Sequence, residues 1–535
     1  MKNFGLRLLC ILSGMALVVA SGCARRSAAL DLIIKNGLVV DGTGNPWFRA
    51  DVGLRRGRIA AIGDLSGASA SGLIDARGLV VSPGFIDIHT HVDDDLPAQS
   101  GAENYVSQGV TSVLGGNCGG HAYPLRETLA KMEKEPAALN WGSLAGHNLI
   151  REKVMAMRSG PPSAEELRRM QDLLAGEMEA GAFGLSSGLA YLPGVYSRTD
   201  ELIALGAVVA RYGGLYATHL RNQGRDITTA IEEALAVGER NGIAVEISHI
   251  KLSEEEVWGE TERITAPVEA ARRRGLEVTL DQYPYTAASS GFSSSLPPDA
   301  FEGGMEKFIE RMKDQATAAR VRSSLIARRL TSSHGVNRLR AMKVAACRAY
   351  PDYAGKTLED ILLAQGKKPD AAAAADLIID IVLHGDASAI FFQMDEPDVE
   401  RLMRLPYVMV GSDGGLQTRG QGVPHPRSYG TFSRVLARYV REKGVLSLED
   451  AVRKMTSLPA QTLRLKDRGL VREGMWADLV LFDPATVADA ASYEDPHRTS
   501  LGIRAVFVNG EVVWEDGHGT GKRPGRVLYG PGRRG

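Results

Sequence analysis

The chain has 535 residues, 44% of them hydrophobic, with 63 basic against 64 acidic side chains and a net charge of −1. This supplies a large core and more length than one ordinary domain uses. A near-neutral balance with no basic stripe excludes an electrostatic case for nucleic acid, and the 24% charged fraction excludes a disordered chain.

The first residues read as a targeting segment. Lys2 and Arg7 precede the apolar stretch Leu8 to Val19, which is short for a membrane span, and Ala20-Ser21-Gly22-Cys23 follows. That ending resembles a bacterial lipobox, whose cysteine becomes the lipidated first residue, although Ala20 stands where leucine is usual. A plain signal peptide cleaved near Gly22 is the alternative; both readings export the chain. Residues 1–23 are therefore expected to direct the protein to the periplasm, with membrane attachment only through lipid on Cys23. Ala24, where an aspartate would favour the inner membrane, points to the outer membrane. With Cys10 and Cys23 accounted for, Cys118 and Cys347 remain in the folded body, too few for a disulfide framework. A lone thiol in an exported protein calls for another use, and for Cys118 a metal offers one.

After a short linker, residues 30–81 read as brief strands with turns at Asn36-Gly37 and Asp41-Gly42. Residues 466–535 echo them in Leu479-Val480-Leu481-Phe482 and in Val506-Phe507-Val508-Asn509-Gly510. The two segments are expected to form one small β-sandwich domain built from both termini, flanking a central domain over residues 82–465.

Within that centre eight strand-like runs alternate with helical pattern. They end at His89-Thr90-His91, Gly116-Asn117-Cys118-Gly119, Ala145-Gly146-His147-Asn148, Leu185-Ser186-Ser187-Gly188, Ala217-Thr218-His219-Leu220, Ile247-Ser248-His249-Ile250, Leu280-Asp281-Gln282-Tyr283 and Val410-Gly411-Ser412-Asp413. Strands alternating with helices pair in parallel, so the expected class is α/β, a (β/α)8 TIM-type barrel with catalytic residues at its C-terminal strand ends. The seventh-to-eighth spacing is too long for one helix. Residues 287–350, with Ser289 to Ser295 and a helical stretch from Phe301 to Arg329, read as an insertion beside the mouth, a lid or specificity element. The alanine run Ala371 to Ala375 reads as helix.

Side chains alternate along a strand, so His89 and His91 point the same way at the mouth of the first run. Cys118, His219, His249 and Asp413 each close a later run. Imidazole, thiolate and carboxylate together suit Zn2+. One division puts Cys118, His219 and His249 around a tight ion, with His89, His91 and Asp413 as a second, weaker or shared position.

These motifs, taken in order, resemble the amidohydrolase superfamily and, within it, the N-acyl-D-amino-acid deacylases (D-aminoacylases), over nearly the whole chain after the signal. Cys118 is the most specific match: binuclear relatives such as hydantoinases and dihydroorotases bridge their metals with a carboxylated lysine, and no lysine ends the fourth run here. The resemblance implies zinc-dependent hydrolysis of the amide of an N-acyl-D-amino acid to a carboxylate and a free D-amino acid. It implies Asp413 as catalytic base and acid as well as metal ligand. Arg427, in His425-Pro426-Arg427, matches the family's clamp for the substrate α-carboxylate, and Tyr283 and Ser289 match substrate-contact positions. Lys251 is expected to support His249 from behind the ligand shell. The glycine-rich stretch Gly414 to Pro424 departs from the His-containing loop of the family and bears on specificity. Two alternatives stand beside this reading. One is a dipeptidase or other amidase of the superfamily acting on peptides with a C-terminal D-residue, as found in wall peptides; the other is a lipid-anchored binding protein on a degenerate barrel.

Overall fold

The computed structural model describes residues 29–534; the targeting segment, including Cys10 and Cys23, lies outside the described residues. The centre is a parallel barrel whose strands are Phe85–Asp87 (β1), Val110–Gly115 (β2), Asn140–Ser143 (β3, continued by Ala145–Gly146), Gly184–Gly188 (β4), Leu215–His219 (β5), Val245–Ile247 (β6), Val278–Gln282 (β7) and Val408–Val410 (β8). Nearly every residue of these runs is buried, as expected for parallel strands covered on both faces. Neighbours pair in sequence order. The ring closes where the Asp413 amide donates to the His89 carbonyl at 2.8 Å and Gly414 pairs with Thr90.

The outer helices follow from sequence periodicity and caps. In the helix Ala164–Ala180 the Ser163 hydroxyl accepts from the Glu166 amide while Glu166 returns the bond, and Met170, Leu174 and Met178 form its buried stripe. Gly181, at φ 122°, ends it.

The β-rich unit does draw on both termini. Its nine strands run as one hydrogen-bonded sheet around a core that includes Ile34, Val52, Leu54, Val81, Leu479, Leu481 and Phe507. The Asn509-Gly510 pair turns the hairpin between Ile503–Val508 and Glu511–Glu515, both residues with positive φ. Asn36-Gly37 does something else. Leu30–Val39 is one continuous strand, and Asn36, at φ 62°, marks a bulge where the register against Phe48–Arg55 slips. The bulge lets the strand's first half pair with Ala70–Asp75 and its second with Val80–Pro83.

The insertion is longer than the sequence pattern indicates. Strands Ala287–Gly291, Met342–Ala346 and Ser388–Phe392 form an antiparallel sheet with the third strand in the middle, so the unit runs past residue 350 to Phe392. The helix Ala371–Leu383 belongs to it, and Phe292, Phe308, Val344, Ile378 and Ala389 contribute to its own core. The stretch from Phe301 to Arg329 is broken into Met305–Arg311 and Gln315–Leu325, the second capped by Asp314.

Candidate metal centre

The six candidate ligands meet at the barrel mouth. His219 is the last residue of β5, while His89, Cys118, His249 and Asp413 lie two or three residues past β1, β2, β6 and β8. Cys118, His249 and Asp413 have φ values of 52°, 36° and 51°. Non-glycine residues seldom adopt this left-handed backbone, which costs of order 1–3 kcal/mol each unless neighbours enforce it. Here it curls each side chain inward over the strand ends. Gly188 leaves space for the Cys118 turn: a Cβ there would lie 2.2 Å from the Cys118 carbonyl oxygen.

The Cys118 thiol faces three imidazoles. Its Sγ lies 3.4 Å from His89 Nε2, 3.5 Å from His249 Nε2 and 3.8 Å from His219 Nδ1. Zinc–sulfur and zinc–nitrogen bonds of ~2.3 and ~2.05 Å at tetrahedral angles imply sulfur–nitrogen separations of about 3.6 Å, and Cys118 with His89 and His249 forms a donor set that fits such an ion. On the other side, Asp413 Oδ1 lies 3.0 Å from His91 Nε2 and 3.6 Å from His89 Nε2. The division between two positions thus changes in two respects: His89 Nε2 faces Cys118 as well as Asp413 and belongs to both close groups, while His219, 3.8 Å from the thiol, stands outside the group that His89, Cys118 and His249 form. Burial pushes the Cys118 thiol up, but the adjacent His89 and His249 rings outweigh it and hold the thiol well below its usual range. That favours the thiolate a metal binds.

Around the ligands lies a buried support that sequence reasoning passed over. Asp281, in β7, is fully buried and accepts from two directions: Oδ2 lies 3.1 Å from His89 Nδ1, and Oδ1 accepts the His249 amide at 3.0 Å. One carboxylate therefore fixes the ring of one ligand and the left-handed backbone of another. On the neighbouring strand β6, burial and then the Asp281 charge push the Glu246 carboxyl well above the usual carboxylate range. Gly411 keeps the space clear, since a Cβ there would lie 2.8 Å from Asp281 Oδ1 and 3.0 Å from His89 Cβ. The available signal was a lone carboxylate within the apolar run Val278-Thr279-Leu280-Asp281, level with the other strand-end ligands. Tyr191, stacked edge-on against His219 with centroids 4.5 Å apart, had no such signal.

Lys251 lies behind His249: its Nζ approaches His249 Nδ1 at 3.2 Å and donates to the His249 carbonyl at 2.8 Å. Burial lowers its pKa to about 8. Gln223 Nε2 approaches the same Nδ1 at 3.2 Å. Arg427 is buried, its Nη1 2.7 Å from Asp413 Oδ2 and its guanidinium 4.9 Å from the Tyr283 ring centroid. Tyr283 is buried, with its hydroxyl unpartnered. Ser289 stands apart from the metal ligands, on the insertion sheet, where it joins His91, Asp413 and Arg427 in lining a cavity of about 320 Å3. The opposite wall is the glycine-rich loop, through Gly415, Gln417, Gln421 and Pro424.

Comparison with known proteins agrees with this geometry. The model of the amidohydrolase family matches residues 72–514. A D-aminoacylase of Alcaligenes xylosoxydans xylosoxydans is 36% identical over 525 residues, covering 94% of this chain and 98% of the relative. An N-acyl-D-glutamate deacylase of the same organism is 39% identical, covering 93% and 96%. Among solved structures, the N-acyl-D-glutamate deacylase of Bordetella bronchiseptica, complexed with zinc and a phosphonate mimic of the tetrahedral intermediate, superposes with a TM-score of 0.79 at 35% identity, covering 94% of this chain and 100% of that one.

Proposed function

The chain belongs to the amidohydrolase family, and from that premise we propose that it is a zinc-dependent N-acyl-D-amino-acid deacylase, releasing a carboxylate and a free D-amino acid. The observation that carries the reading is the Cys118 sulfur ringed by His89, His219 and His249, with Asp413 across the same mouth. Cys118, His249 and the shared His89 would hold one ion tightly, with His219 beside the thiol as a further donor, and His91 with His89 and Asp413 would hold a second, weaker one. The chemistry a bound zinc supplies is Lewis acidity toward the scissile carbonyl and a water whose pKa falls to about 7.

The chain's own residues do the rest. Asp413 Oδ1 faces the ligand cluster, placed to take the proton of the attacking water and return it to the leaving nitrogen. An amide nitrogen leaves poorly until protonated, so the second transfer is as necessary as the first. Arg427 binds the substrate α-carboxylate through its planar guanidinium. It already contacts Asp413 Oδ2, so the clamp and the proton-transferring group are one unit and the scissile bond is drawn beside Asp413. Tyr283 lies under the guanidinium and limits how far it can swing, and Ser289 offers a hydroxyl from the insertion wall. Lys251 and Asp281 hold His249 and His89 in place. A D-dipeptidase reading would use the same residues.

The first experiment is amino-acid release from paired N-acetyl-D- and N-acetyl-L-amino acids by zinc-loaded protein. Release from the D series alone is expected. Release only from dipeptides, or from neither series with zinc bound, would overturn the substrate assignment. Residues 1–23, with Cys23 as lipid attachment site, are proposed to export the protein to the periplasm and anchor it to the outer membrane; this rests on the lipobox-like sequence.

A further inference from the structure

The two relatives above differ in substrate, one named for glutamate and one not, and the cavity beside Asp413 bears on which kind this chain resembles. With the α-carboxylate on Arg427, the substrate side chain meets the wall that the insertion supplies. That wall is formed by Ser289, Ala345, Ala346 and Ser388, from all three strands of the inserted sheet. All four are small and uncharged.

Charge is distributed unevenly around this cavity. Among the described residues lining it, Arg427 is the only lysine or arginine, and it is committed to Asp413 and the α-carboxylate. His425 also lines it but has no donor to spare. Its Nδ1 accepts the Arg427 amide at 3.0 Å, so Nε2 carries the hydrogen, given to the Ala287 carbonyl at 2.9 Å. Lys343 lies on the same strand as Ala345, yet its ammonium donates to the Tyr493 carbonyl at 2.6 Å and stands 3.9 Å from Glu494. The remaining charged groups of the lining, Asp95 and Asp413, are carboxylates.

Resting on the deacylase reading, we propose that this site takes N-acyl-D-amino acids with uncharged side chains and rejects those with acidic ones. A glutamate or aspartate substrate brings a second carboxylate into a partly enclosed cavity that offers it no cation and places it near two like charges. A charge taken from water without a partner, beside others of its own sign, is disfavoured. An apolar side chain loses nothing against the alanines, and a neutral polar one finds Ser289, Ser388 and the amides of Gln417 and Gln421.

The test measures kcat/KM of the zinc-loaded full chain for N-acetyl-D-methionine, -leucine and -alanine against N-acetyl-D-glutamate and -aspartate. The neutral series is expected to exceed the acidic one by about 10²-fold. Equal rates, or faster release of glutamate or aspartate, overturn the selectivity and leave the deacylase reading intact. Release from neither series overturns that reading and the selectivity with it. Ser388→Arg adds the missing cation at an exposed wall position. It is expected to raise kcat/KM for N-acetyl-D-glutamate at least tenfold relative to the methionine substrate; no change in that ratio counts against the wall as the side-chain site.

Discussion

Replacing Asp281 with asparagine isolates the buried support from the ligands themselves. The carboxylate accepts from His89 Nδ1 at 3.1 Å and from the His249 amide at 3.0 Å, with no exposed surface. An asparagine has one oxygen for these two donors and must turn its NH2 toward one of them. Either the His89 ring loses the acceptor that orients it, or the His249 amide loses the bond that holds its φ of 36°. Removing such a partner of a metal-ligating histidine typically costs 10–100-fold in metal affinity, about 1.4–2.7 kcal/mol. The assay is competition with a zinc chelator on the apoprotein, run alongside thermal unfolding of parent and variant without metal. Asp281→Asn should bind zinc at least tenfold more weakly while remaining folded. Affinity within threefold of the parent would refute the claim that this carboxylate positions the ligands.

Three further outcomes follow from the site and the leader. Asp413→Asn should lower kcat by about 10²–10⁴-fold, the range for loss of a general acid–base group, while binding at the Cys118 position, followed by chelator competition, changes far less. Arg427→Lys keeps the charge but loses the planar fork, so KM for N-acetyl-D-amino acids should rise at least tenfold; an unchanged KM would remove Arg427 from the role of clamp. Cys23→Ser should abolish incorporation of labelled palmitate in a bacterial host that processes lipoproteins, and retained label would refute the anchor.

Much of this architecture was legible from local pattern. Strand period two places His89 and His91 on one side, and apolar runs ending in Cys118, His219, His249 and Asp413 put each ligand at the same end of its strand. Both signals lie within a few residues of chain, where sequence carries them directly. Asn509-Gly510 likewise makes its hairpin because it joins two strands that are neighbours both in sequence and in the sheet, Ile503–Val508 and Glu511–Glu515. Asn36-Gly37 carries the same dipeptide signal and gives a bulge, because Leu30–Val39 has three partners to satisfy and a reversal would forfeit two of them.

What tertiary structure alone decided depends on approaches between strands distant in sequence. Asp281 meets His89 across 192 positions, and Arg427 meets Asp413 only once the loop after β8 has folded back. The sharing of His89 between two ligand groups depends on its Nε2 facing both sides of a closed ring. The insertion extends to Phe392 because its central strand, Ser388–Phe392, comes last in sequence, and nothing in that stretch read alone shows the two partners it joins. Residue types and period are local properties of the chain; which carboxylate holds which imidazole is set by closure of the barrel.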